Sequence, residues 1–299
     1  MRHSLFVYDD DDRLVEEIAP FLLSGLVGGE PVVVVLDRRK WEQLARALGA
    51  HADRVLHVER DAFYTRPEAA VAGYDATLRR FVRAGASAIR VFGELPRCET
   101  DADRDRWLTY EAILNRAFVH QPVWVVCGYD TREVSGPLLD GALDTHPELL
   151  ANDWDVSPHY HEPEDVVRSR TPTPASLPDL RTLPVPRDAR AFRRALSAQL
   201  EAAGVPRPEA WSMLVAAEEV LANAERHGGG APKVRVGRVD DRFVCEISDH
   251  GPGIGDPLAG FLPPRPGHVS GAGLWVARQL TTQLELVPSQ TGATVRLSV

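Results

Sequence analysis

The residues best equipped for chemistry lie in three short stretches near the end of the chain. In AAEEVLANAERHGG, residues 216–229, Glu219, Asn223 and His227 follow one another at intervals of four. On a helix that interval places side chains on one face. An asparagine amide oxygen is a hard ligand suited to Mg²⁺, and a glutamate can orient or deprotonate an attacking hydroxyl or water. The second stretch, SDHGPGIGD, sets Asp249, Gly251 and Gly253 directly after a strand-like run. Its glycines let backbone approach a flat ligand closely, and the Asp249 carboxylate can accept from an exocyclic amine. The third, SGAGLWVARQL, opens a helix with Gly271 and Gly273. Uncovered N–H groups and the helix dipole make such a start a site for phosphate. Each stretch also has a plainer reading: a solvated helix face opposite the apolar stripe Leu214, Ala217, Leu221 and Ala224, an ordinary turn, and a glycine loop without a ligand.

The elements that must position these residues are legible. ARAFRRALSAQLEAAG (189–204) and PEAWSMLVAAEEVLANAERHG (208–228) read as helices, the second with Pro208 in its first turn. KVRVGRVDDRFVCEISD reads as a hairpin turning at Asp240 and Asp241. GLWVARQLTTQLELV begins as a helix and becomes a strand, and ATVRLSV is a last strand. Helices followed by mostly antiparallel strands form an α+β pattern. The first half differs. Apolar strands at SLFVYD, PVVVVLD, RVLHVE, AIRVFGEL and PVWVVCGYD alternate with amphipathic helices, which predicts an α/β domain with a parallel sheet covered on both faces. Between the halves, EPEDVVRSRTPTPASLPDLRTLPVPR is rich in proline and poor in apolar periodicity, the texture of a semi-extended linker, part of which could pack on a domain surface. The expected division is 1–165, a linker at 166–186, and 187–299.

Taken together and in order, the three C-terminal stretches resemble the Bergerat (GHKL) ATP-binding fold. Glu219-Val-Leu-Ala-Asn223 is similar to the family's E-x-x-x-N box, Asp249-His-Gly251-Pro-Gly253 to D-x-G-x-G, and Gly271-Ala-Gly273-Leu274 to G-x-G-L. N-A-x-x-H-G from Asn223 to Gly228, with the compact size, resembles the anti-sigma-factor serine kinases of the RsbW and SpoIIAB type. The resemblance implies Asp249 on adenine, Asn223 on Mg²⁺, Gly271, Gly273 and Leu274 at the phosphates of ATP, and Glu219 as base toward a serine of an anti-anti-sigma (STAS) partner. The alternative it leaves is a nucleotide-gated module that binds a STAS protein or sigma factor without turnover. The helix at 189–204 has no histidine, which disfavours histidine autophosphorylation. GIGDPLAGFLPPRPGHVS would form the lid, and relatives often dimerise, so a homodimer is compatible with the resemblance.

The first half resembles the MEDS domain, the sensory domain of DcmR-like regulators, through FLLSGLVGGEPVVVV, RVFGELP, WLTYEAILN, VVCGYD and HPELL. That resemblance implies a RecA-like parallel sheet and a small-molecule ligand. Ligands of parallel sheets sit at the carboxyl ends of the strands, where Asp9, Asp37, Glu94, Tyr129 and Asp130 are found. Each of these residues also reads as a solvated turn. His146, His159 and His161, with Asp155 and Glu162 nearby, have metal-ligand side chains, but the reading preferred over a metal site is that of surface or domain-interface histidines.

Bulk properties bound the rest. The 299 residues carry a net charge of -9, a poor match to nucleic acid or an anionic membrane surface. Cys98, Cys127 and Cys245 are far apart, with no disulfide framework or CxxC metal motif. MRHSLFVYDDDD lacks a signal-peptide core, and PVVVVL is far too short to cross a bilayer. The expectation is a cytoplasmic protein.

Overall fold

The computed structural model describes residues 1–134, 136–150, 154–171, 174–184, 189–229, 232–264, 272–287 and 292–299. They form two units, Met1–Arg170 and Thr171–Val299.

The first unit runs β1 (Arg2–Tyr8), α1 (Asp11–Val27), β2 (Val32–Leu36), α2 (Arg38–Leu48), β3 (Val55–Glu59), α3 (Arg60–Phe63), α4 (Pro67–Arg83), β4 (Ile89–Glu94), α5 (Asp101–Ala117), β5 (Val123–Asp130), α6 (Gly136–Thr145), β6 (Glu148–Leu150), β7 (Trp154–Val156) and α7 (Pro163–Arg170). The sheet order is β3-β2-β4-β5-β1-β6-β7. Every pairing is parallel except β7 on β6. Successive residues of a strand point to opposite faces, and this sorts the interior. Phe6, Tyr8, Phe92 and Val126 pack with Leu14, Ile18 and Leu22 of α1 and Leu44 and Leu48 of α2. His3, Cys127 and Tyr129, one position out of phase, instead meet Glu111 of α5. Asp10 caps α1 by accepting from the Arg13 N–H at 2.7 Å, and Asp37 caps α2 by accepting from Lys40 N–H at 3.0 Å.

The second unit contains β8 (Arg181–Leu183), α8 (Ala189–Ala202), α9 (Arg207–His227), β9 (Lys233–Val239), β10 (Arg242–Ser248), α10 (Ala272–Leu280), β11 (Gln283–Val287) and β12 (Thr294–Ser298). Its sheet is antiparallel, in the order β11-β12-β10-β9-β8. One face, with Val234, Val236, Phe243, Cys245, Ile247, Val295 and Leu297, packs on Phe192, Leu196, Met213, Ala217 and Ala277 of the helices. The expected hairpin is present, and Asp240 turns it with φ 52°.

The stretch 166–186, expected as a linker, is structured at both ends. Residues up to Arg170 complete α7 of the first unit, and Arg181–Leu183 adds β8 to the edge of the second sheet. The polar face of that sheet explains why. Arg235 donates to the carbonyl of Leu177 at 2.6 Å and Arg296 to that of Ala175 at 2.9 Å, while Glu246 pairs with both arginines. Proline-rich backbone has free carbonyls, and these partly buried guanidinium groups use them.

Candidate functional site

In the second unit, α9 carries Glu219 and Asn223 on one face and packs beside α10. Both side chains are half-buried rather than solvated. Gly273, in the first turn of α10, lies against them: a methyl group there would come within 2.9 Å of Glu219 Oε2 and 3.0 Å of Asn223 Nδ2. The carboxylate, the amide and the glycine in the first turn of α10 therefore converge.

The second wall is the turn after β10. Asp249 Oδ1 accepts from the N–H groups of Gly251 and Ala293, both at 2.9 Å. Its backbone N–H donates to the Ala293 carbonyl at 2.8 Å. Oδ2 takes no hydrogen bond among the described residues, so one oxygen is fixed and the other is available. Gly253 has φ 82° and backs onto the Gly292 carbonyl; Gly251 backs onto the His227 carbonyl.

The two walls meet at the end of α9. His250 N–H donates to the Gly228 carbonyl at 2.9 Å. A methyl at Gly228 would lie 2.5 Å from Asp249 Cβ, and one at Gly292 (φ 80°) only 2.0 Å from the Asp249 carbonyl oxygen. Gly228, Gly292 and Ala293 thus hold Asp249 in place. Sequence reasoning gave Gly228 no physical role and passed over the other two. The signal was present only for Gly228, in the H-G pair that closes the helix.

Leu274 packs on the helix–sheet core, and the Gly260 backbone (φ 77°) lies against it. Phe261 stacks under the Arg278 guanidinium at 3.6 Å. The described part of the expected lid, up to residue 264, therefore rests on α10. Gly271 and residues 265–270 lie outside the described residues. His227 is exposed. Burial, then the nearby Glu246, push the Cys245 thiol up to about 12, so it is inert core.

Two family models match the chain. Residues 2–147 match the MEthanogen/methylotroph, DcmR Sensory (MEDS) domain, and residues 184–299 match the histidine kinase-like ATPase domain. The chain joins a MEDS sensory domain to a histidine kinase-like ATPase domain. No curated protein matches it. A sensory domain coupled to an ATPase-type domain is the make-up of a signalling regulator. No helix among the described residues is long and apolar enough to cross a membrane.

In the sensory domain the strand-end residues divide. Glu94 and Asp130 converge on Lys40, whose ammonium is fully buried and donates to Glu94 Oε1 (2.8 Å), Asp130 Oδ2 (2.9 Å) and the Tyr8 hydroxyl (2.9 Å). Tyr8 in turn donates to Glu94, and Arg60 donates to Glu94 at 2.6 Å. Burial opposes the charge on Asp130, but hydrogen bonds from Arg132 and Lys40 outweigh it and hold the carboxyl well below the usual range. Burial, then the Glu94 charge, push the Tyr8 phenol far up. Asp37 serves as the α2 cap, and Asp9 is exposed. Tyr129 points to the opposite face, where its hydroxyl donates to Glu111 at 3.3 Å. Strand alternation separates it from its neighbour Asp130.

The grouping of His146 with His159 and His161 does not hold. His159 and His161 are exposed, whereas His146 is fully buried beside His3 and Glu111. The ring lies under α6, where its Nδ1 bonds the Ala142 carbonyl at 2.8 Å.

Proposed function

We propose that the ATPase domain binds Mg·ATP between α9, the turn after β10 and the start of α10, and transfers the terminal phosphoryl group to a serine of a protein partner, an anti-anti-sigma (STAS) protein. The observation that carries this reading is the convergence of Glu219 and Asn223 on Gly273, with Asp249 held by backbone so that Oδ2 stays available.

The residues fit the nucleotide and its metal. Asp249 Oδ2 is an acceptor for the adenine amine. Gly273 brings backbone to the N-box pair where a side chain would intrude, and Gly271 belongs to the same phosphate-binding motif. The Asn223 amide oxygen suits Mg²⁺, which neutralises phosphate charge when bound. Glu219 takes the proton of the serine hydroxyl, the serine oxygen bonds to the terminal phosphorus, and ADP leaves with the electrons of the broken P–O bond. Positioning and charge stabilisation supply most of the rate in phosphoryl transfer.

The test is transfer of label from ATP to purified STAS proteins. Glu219→Ala abolishes transfer and leaves Mg·ATP binding nearly intact. Transfer that persists in this variant removes the base assignment. A second reading, a nucleotide-gated binder of a STAS protein or sigma factor without turnover, draws on the described part of the lid, where Phe261 stacks on Arg278 of α10. It predicts ATP-dependent capture of the partner with no label transferred. In either case the sensory domain would take a small molecule at the carboxyl ends of its parallel strands, beside rather than on the closed Lys40–Glu94–Asp130 network.

A further inference from the structure

The sensory domain holds a second polar cluster, on the α5 side of its sheet. His3 of β1, Glu111 of α5, Cys127 of β5 and His146 just after α6 each contribute one ligand-type atom, and these atoms all lie within 4.8 Å of one another. His3 Nε2 is 3.1 Å from Glu111 Oε2 and 3.3 Å from Cys127 Sγ. Glu111 Oε2 is 3.4 Å from Cys127 Sγ and 3.5 Å from His146 Nε2. Bonds of about 2.0–2.3 Å at tetrahedral angles set ligand atoms roughly 3.3–3.7 Å apart; three of these four separations fall in that range, and small side-chain shifts would bring the set around a single ion.

The hydrogen bonds around the cluster aim its lone pairs inward. Asn115 Nδ2 donates to the Thr145 carbonyl at 2.8 Å, which turns its Oδ1 toward His3 Nδ1 at 3.1 Å. An amide oxygen only accepts, so His3 carries a hydrogen on Nδ1, and it is Nε2 that faces Glu111 and Cys127 and offers its lone pair when the ring is neutral. The Ala142 carbonyl fixes His146 the same way, through Nδ1 at 2.8 Å. Its Nε2 is fully buried and has no hydrogen-bond partner. A buried imidazole nitrogen without a hydrogen-bond partner, facing a carboxylate, a thiol and a second imidazole, suits a bound cation. Outer partners on Nδ1 are the usual companions of metal-bound histidines.

We propose that His3 Nε2, Glu111 Oε2, Cys127 Sγ and His146 Nε2 bind one divalent first-row transition-metal ion, with Zn²⁺ preferred. The Cys127 thiol proton goes to solvent as the metal–sulfur bond forms. A thiolate and two imidazoles select against Mg²⁺ and Ca²⁺, and four protein ligands without an open position make a closed, structural type of site. The ion would tie β1, β5, α5 and the end of α6 together. The site shares no residue with the nucleotide site, so neither reading rests on the other.

The test uses the full chain, stripped with a chelator and titrated with Co²⁺. The expected result is one equivalent bound, with the absorption of tetrahedral Co²⁺, a thiolate charge-transfer band, and displacement by Zn²⁺. Cys127→Ser loses the charge-transfer band. Asn115→Ala keeps all four ligands and weakens affinity about 10–100-fold. Absence of these bands in the unaltered chain overturns the proposal, as does a charge-transfer band that survives in Cys127→Ser. Should Cys127→Ser fail to fold, the unaltered chain and Asn115→Ala still decide. Unchanged affinity in Asn115→Ala removes His3 from the ligand set and with it the four-ligand site.

Discussion

The two domains use polar side chains in opposite ways. Around Lys40 in the sensory domain, charges are buried and answer one another: one ammonium reaches two carboxylates and a phenol. At the ATPase site the polar groups are half-buried, lie beside glycines, and leave Asp249 Oδ2 without a partner among the described residues. A closed network fixes the strand ends that it joins. An open one keeps binding capacity for a ligand. Mutations should therefore damage stability in the first domain and affinity in the second.

The largest effect is expected from Lys40→Met. It leaves Glu94 and Asp130 buried without their common cation, at a cost of about 3–5 kcal/mol. Urea unfolding followed in the sensory domain checks this, and a loss below about 1 kcal/mol would break the contrast. On the open side, Asp249→Asn keeps the oxygen that receives Gly251 and Ala293 but points an amide donor at the adenine amine. It should weaken Mg·ATP binding by roughly 10–100-fold, the equivalent of about 1.4–2.8 kcal/mol, with little change in the melting temperature. Gly273→Ala should behave similarly by displacing Glu219 and Asn223, again losing affinity more than stability; nucleotide titration beside a thermal melt separates the two.

Acid should also divide the domains. Burial disfavours the charge on Asp11, yet hydrogen bonds from Arg39 and Arg132 hold its carboxyl at about 2, against an ordinary 3.8. A depressed carboxyl contributes stability above the ordinary value, and that contribution is lost as pH falls toward 2. Melting of the sensory domain should drop through that window, and Asp11→Asn should flatten the drop. The smallest effect concerns Asp37. As the α2 cap it should cost about 1 kcal/mol on replacement by alanine, without altering ligand binding by the sensory domain.

Both domain architectures were legible in the sequence, because apolar runs alternating with amphipathic helices, and helices followed by a hairpin, are local patterns. The convergence of Glu219, Asn223 and Gly273 was legible for a related reason. Glu219 and Asn223 are one helical turn apart, and Asp249, Gly251 and Gly253 share one turn, so each wall is a short motif. Gly292 and Ala293, which back Asp249, come from the approach to β12 and carry no motif. The polar clusters of the sensory domain were the least legible. Cys127 lies 124 positions after His3, and Lys40 meets Asp130 across 90 positions; only the sheet order brings them together. Tyr129 and Asp130 looked equivalent in sequence, and strand alternation sends them to different faces. The linker texture did not show which part packs: proline-rich backbone serves as a sheet edge and as an acceptor for Arg235 and Arg296.

On the proposed reading Asp249, Asn223 and Gly273 form one nucleotide site. Calorimetric titration of the full chain with Mg·ATP, beside Asp249→Asn, tests it most directly. Micromolar binding that weakens at least tenfold in the variant is expected. No binding by the unaltered chain, or equal affinity in both proteins, would contradict it.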